Sequence, residues 1–267
     1  YNLDVLGWRY NAAEKSLSPG NAGQIEEKWR FPPRGSKEFV GAIHATPIVV
    51  NGHVYFGTLV KPAFYKLQPD GKLAWKFRIP LSSREGAFGK TEEKGVNRIV
   101  SAPGILSTAL VTGRLVFFGD TAGVFYALDR SSGKMLWSVN AKLDGFPGHH
   151  PANVFMSSPI LADGKIIVGG GSHEHPYPLV PLYPCCTGRG FVIAFEPETG
   201  KIAWKYDVGP PPKKFKKPVI IEDARGRHVF THGPATSSIW SAPSYDARLG
   251  MIFFGTDVQN SPREPTP

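Results

Sequence analysis

Cysteine is almost absent from this chain: its 267 residues include two, and these are neighbours, Cys185 and Cys186. A structural crosslink between distant positions therefore cannot form within it. Long apolar runs are missing too, and no stretch approaches the length of a membrane span. No secretory leader is visible, and the abrupt start at Tyr1 is what a processed mature protein would show. Acid is the scarcer charge, with 22 aspartates and glutamates against 31 lysines and arginines, leaving a formal net charge of +9. The basic residues are scattered, which argues against nucleic acid as a partner. One dense run exists, Lys213-Lys214-Phe215-Lys216-Lys217, and its place after Pro210-Pro211-Pro212 predicts a loop. It reads either as a solvated loop or as a docking patch for an acidic partner, such as an electron-accepting cytochrome.

What the chain does have is glycine (30), proline (25) and 12% aromatic residues, a mixture suited to short strands joined by tight turns. Period-2 runs such as Gly113-Arg114-Leu115-Val116-Phe117-Phe118 agree with that. The strands recur in a fixed order. Gly-Lys-x-x-Trp is spelled at Gly71 to Trp75, Gly133 to Trp137 and Gly200 to Trp204. Ahead of each stand a small residue and a proline, as at Thr46-Pro47, Ala102-Pro103 and Ser158-Pro159. An apolar strand ending in glycine follows, at Val54 to Gly57, Val116 to Gly119 and Ile167 to Gly169, and then a second apolar strand. A further copy begins at Ala242-Pro243 and reaches Phe253-Phe254-Gly255.

A repeat of roughly 40 to 70 residues built from four short strands is the signature of a propeller blade. The predicted fold is an all-β propeller with one domain over 1–267 and blades at about 40–80, 98–141, 153–208 and 236–267, the last cut short. A propeller must close to protect its edge strands. The expectation is a fragment that is about half of an eight-bladed propeller, the other blades coming from the rest of the polypeptide or from another chain.

Adjacent cysteines read either as two reduced thiols in a loop or as a vicinal disulfide. A disulfide between neighbours adds almost no loop-closure entropy, so its use would be chemical or steric. It also requires an oxidising compartment.

The phrases "ATPIVVNGHVYFGT" (45–58), "YPCCTGRGFVIAFEPETGKIAW" (183–204) and "SSIWSAPSYDARLGMIFFGT" (237–256) resemble the pyrroloquinoline-quinone (PQQ) dehydrogenases, nearest to the polyvinyl-alcohol-dehydrogenase-like quinoproteins. Residues 7–31 resemble the family's opening segment, in which a tryptophan such as Trp29 starts the outer layer. The resemblance implies a periplasmic or secreted enzyme that oxidises a small or polymeric alcohol by hydride transfer to PQQ. A calcium or lanthanide ion would act as Lewis acid, and electrons would leave to a cytochrome. It also implies roles for particular residues. Cys185 and Cys186 would form one wall of the quinone slot and Trp240 the other, with Arg98 on a quinone carboxylate. Glu174 matches the family's metal-binding glutamate, and Asp257 (or Asn260) would replace an asparagine ligand where Val258 stands. The catalytic aspartate is expected beyond Pro267. His173 and His175 offer a transition-metal alternative, and His149-His150 a weaker one. A second functional reading stays open: a PQQ-free propeller acting as a binding scaffold, or as a hydrolase of the tetrathionate-hydrolase type.

Overall fold

Asn51-Gly52 and Asp163-Gly164 each sit between two apolar runs, and both pairs take positive φ (51° and 75°; 47° and 69°). This is the two-residue turn that matches the twist of antiparallel strands. In the computed structural model of the chain, which describes residues 14–59, 61–80, 104–174, 185–224, 226–235 and 238–257, these turns join the first two strands of two blades. The first blade is an antiparallel sheet of β1 (Ile48–Val50), β2 (His53–Gly57), β3 (Ala63–Leu67) and β4 (Leu73–Arg78), in that order. The second repeats it with β5 (Leu110–Val111), β6 (Leu115–Gly119), β7 (Val124–Asp129) and β8 (Met135–Asn140). The third has β10 (Ile160–Ala162), β11 (Lys165–Ser172), β12 (Phe191–Phe195) and β13 (Ile202–Asp207), with the short β9 (Asn153–Val154) paired to the end of β11. A separate hairpin, β14 (Lys213–Asp223) and β15 (Gly226–Gly233), precedes the pair β16 (Ser244–Asp246) and β17 (Met251–Phe253).

The middle strands are apolar at most positions, without strict alternation, because both faces of each sheet are covered. From β6, Val116 and Phe118 pack toward the first blade with Phe64, Tyr55 and Trp75. Leu115 and Phe117 of the same strand pack toward the third blade with Ile166, Val168 and Phe195. The period of two thus selects which neighbour a side chain meets, rather than core against water. Stacked rings bridge the interfaces, Phe64 on Phe118 at 4.4 Å and Phe125 on Phe195 at 5.2 Å between centroids.

The Gly-Lys-x-x-Trp phrase ties blade to blade. Trp29, Trp75 and Trp137 lie against Gly71, Gly133 and Gly200 of the following repeat, where a Cβ would come within 2.5–2.6 Å of the indole. Each of these glycines also holds φ between 68° and 83°. The indole Nε1–H donates to the carbonyls of Pro69, Arg130 and Pro197 at 3.0, 3.1 and 2.9 Å. A register shift recurs just ahead of each phrase, at Lys66/Leu67, Ala127/Leu128 and Ala194/Phe195. Among the described residues no helix is long and apolar enough to cross a membrane.

One local expectation differs. The lysine run is not a loop but the start of β14, with Pro218 inside a register shift between Lys214 and Val219. Proline lacks the N–H that a ladder position needs, and the shift places it where none is required.

Candidate functional site

The residues that the sequence singles out converge where β11 ends. The run Gly169-Gly170-Gly171 lets residues 238–240 lie directly on the backbone: a Cβ at Gly169 would overlap Ile239, and one at Gly171 would meet the Ser238 backbone at 2.9 Å. Ile239 N–H donates to the Gly170 carbonyl at 3.3 Å, and Ser238 Oγ donates to the Ser172 carbonyl at 3.0 Å. Trp240 follows, 39% exposed, with its ring edge-on to His173 at 6.1 Å. Asp257, exposed, donates its N–H to the Ser238 carbonyl at 3.2 Å. The geometry therefore gathers Glu174, Trp240 and Asp257 along one strand end, next to Cys185 and Cys186. Arg98, His175, Val258 and Asn260 lie outside the described residues.

Glu174 is fully buried. Its Oε2 accepts from Ser172 Oγ at 2.8 Å and from Gly188 N–H at 2.6 Å. Its Oε1 accepts from Thr187 N–H at 3.0 Å and faces His150 Nε2 at 3.6 Å. Gly188 is required for this cradle, since a Cβ there would overlap the Ser172 side chain. His150 Nδ1 accepts from Ala152 N–H at 3.1 Å, which leaves the proton of a neutral ring on Nε2, 3.0 Å from Thr187 Oγ1. Burial holds the His150 imidazole below its ordinary value, against the pull of Glu174.

Behind His150 sits a second buried pair. Asp120 accepts from Val124 N–H at 2.9 Å and from Tyr126 OH at 3.0 Å. Burial raises its carboxyl to about 6, although those bonds and Lys142 pull the other way. Lys142 is 6% exposed, and burial lowers it to about 8 against the attraction of Asp120. Sequence reasoning missed Asp120 and Lys142 and ranked His150 last. Asp120 had a signal, a carboxylate directly after the Gly119 that ends an apolar strand. Lys142 had none.

Cys185 and Cys186 are joined to each other as a vicinal disulfide across a cis peptide bond, and each is fully buried. They share an apolar cluster with Ala152, Phe215, Phe230 and Ala235.

A metal ion needs carboxylate lone pairs, and a planar cofactor needs a bare face to lie on. Glu174 already accepts two bonds on Oε2 and one on Oε1, and the disulfide is fully buried. Among the described residues, no three of His, Cys, Asp and Glu converge as a metal-binding group. Trp240 keeps part of its ring open, whereas the disulfide, packed under Phe215 and Phe230, does not fit the open quinone wall that the resemblance implies. A cavity of about 540 Å³ lies on the first blade between Lys37, Glu38, Phe39, Lys61, Lys76 and Arg78, and none of the expected site residues lines it.

A family model described as the PQQ-type glucose/ethanol/alcohol dehydrogenase, beta-propeller domain, matches residues 1–262. The polyvinylalcohol dehydrogenase of Sphingopyxis sp. (strain 113P3) is 30% identical over 243 residues, 90% of this chain and 32% of its own length. The quinohemoprotein alcohol dehydrogenase ADH-IIG of Pseudomonas putida is 27% identical over 246 residues, again 90% of this chain but 30% of its own. The crystal structure of the quinohemoprotein alcohol dehydrogenase from Comamonas testosteroni superposes with a TM-score of 0.54 at 21% identity, over 81% of this chain and 29% of that one. That likeness speaks for the fold alone. The chain spans about a third of the length of the curated relatives it matches.

Proposed function

The chain belongs to the PQQ family of glucose/ethanol/alcohol dehydrogenase β-propellers, and from that premise we propose that the protein is a quinoprotein alcohol dehydrogenase. The observation that carries this reading is the family match over 1–262, joined by relatives named as alcohol and polyvinylalcohol dehydrogenases. The substrate is a small or polymeric alcohol. The electron acceptor is an acidic cytochrome, which meets the exposed lysines of β14. The compartment is oxidising, periplasmic or extracellular, in keeping with a disulfide between Cys185 and Cys186. Of the residues named from the sequence, Trp240 is assigned to the cofactor's face. Asp257 is the exposed carboxylate that calcium or a lanthanide would meet.

One observation favours a second reading, a propeller of this family that binds no quinone: the closed state of both the disulfide and Glu174. The absorption spectrum of the natively purified protein decides between them, recorded with and without added PQQ and calcium. A quinone band that is lost in Trp240→Ala supports the dehydrogenase. Absence of the band, with no uptake of added PQQ, supports the quinone-free propeller, whether scaffold or hydrolase.

A further inference from the structure

The hairpin β14–β15 is hydrogen-bonded to no other strand among the described residues. Its first strand is exposed at every position except Phe215, which is buried, and Val219, which is half-buried. A lone two-stranded hairpin is at best marginally stable in water. The described attachment of this one is at its foot, where it meets Cys185 and Cys186. The Cys185 carbonyl accepts from Thr231 N–H at 2.6 Å and from His232 N–H at 3.0 Å, and Thr231 Oγ1 reaches it at 3.3 Å. Cys186 N–H donates back to the His232 carbonyl at 3.4 Å. Phe215 from β14, Phe230 from β15 and Ala235 just beyond close over the two cysteines, with Val219 at the margin. Joined sulfurs form one compact apolar body for these rings, and sulfur packs favourably beside aromatic rings.

We propose that the Cys185–Cys186 disulfide is the anchor that seats the lysine-bearing β14–β15 arm on the third blade, and that no quinone ring rests on it. A planar ring laid on this disulfide would first have to displace Phe215 and Phe230, which would strip the hairpin of its apolar seat and leave the backbone bonds of Cys185 and Cys186 to Thr231 and His232 without it. The inference stands apart from alcohol oxidation: a quinone held elsewhere leaves the anchor intact, and a propeller without quinone still needs it.

The test is hydrogen exchange and trypsin cleavage of the whole protein, native and with Cys185→Ser/Cys186→Ser. Loss of the disulfide is expected to speed exchange in residues 213–233 and cleavage at Lys213 to Lys217 by about tenfold or more, while β6 and β7 keep their protection. Unchanged protection of the hairpin overturns the proposal. Should the double variant fail to fold, Phe230→Ala keeps the disulfide and removes part of its roof. Dithiothreitol should then reduce the disulfide about tenfold faster than in the native protein. An equal rate, or PQQ shielding the native disulfide from dithiothreitol, overturns the proposal.

Discussion

Asp120 is fully buried, and its titration can be followed through the stability of the fold. Burial raises the folded carboxyl to about 6, above the unfolded value near 3.9. The folded state therefore holds a proton that the unfolded state has lost, and stability falls as pH rises from about 4 to 6. A shift of about two units corresponds to roughly 3 kcal/mol over that window. Lys142 acts in the opposite direction: its folded value of about 8 lies below the unfolded one, so stability recovers as pH rises above about 8. Urea unfolding in the acid window should show the falling slope in the native protein and a much flatter one in Asp120→Asn. Equal slopes would mean that this carboxyl does not titrate with folding. Gly188 offers a second test at the same scale. A methyl group there overlaps Ser172 and pushes the Gly188 amide away from Glu174, leaving a buried carboxylate short of a donor. Gly188→Ala should cost on the order of 3 kcal/mol. A loss below about 0.5 kcal/mol, the level of an ordinary surface substitution, would mean that the cradle tolerates the methyl.

Among the elements, the glycine of each Gly-Lys-x-x-Trp phrase explains why the blades were legible in the sequence. Gly200 holds φ at 68° and has the Trp137 indole where a Cβ would go, so neither its conformation nor its contact admits another residue. Gly200→Ala should lower the melting temperature by about 5 °C or more, from backbone strain and overpacking together. An unchanged melting temperature would remove the tryptophan from the account of how blades hold. Such features recur in the sequence because each is local: one turn, one indole, one strand. The candidate site was legible only in part, because its pieces come from separate loops. Glu174 was picked out by its place after a glycine-rich strand, yet nothing local says that Thr187 and Gly188 turn their amides back onto it. The hairpin was misread for a related reason. Three prolines and four lysines suggest a loop, while the partners that make it a strand, His232 and Gly233 for Lys214 and Lys213, come about twenty residues later in the chain. Neighbouring cysteines were informative about redox state, but what covers them is fixed by Phe215 and Phe230 from another element.

At the scale of the molecule, the basic residues are scattered except on β14, whose first half exposes Lys213, Lys214, Lys216 and Lys217 within five residues. A basic arm held at a fixed angle raises the rate of encounter with an acidic protein far more than it raises the strength of the final complex. Salt should weaken that steering over a Debye length of about 10 Å at 0.1 M ionic strength. If the proposed dehydrogenase reading holds, reduction of an acidic cytochrome by the alcohol-loaded protein should therefore slow steeply as ionic strength rises from about 10 to 150 mM. Replacing the four lysines with glutamine should lower the second-order rate by about tenfold at low salt and narrow that difference at high salt. The rate within a preformed complex should change far less, because steering acts on the encounter and not on the bound pair. If the substituted protein instead keeps its rate and its salt dependence, the lysines are a solvated surface and the acceptor docks elsewhere. If its rate falls equally at every salt concentration, the arm acts by contact rather than by field, and Phe215 at its foot becomes the residue to vary next.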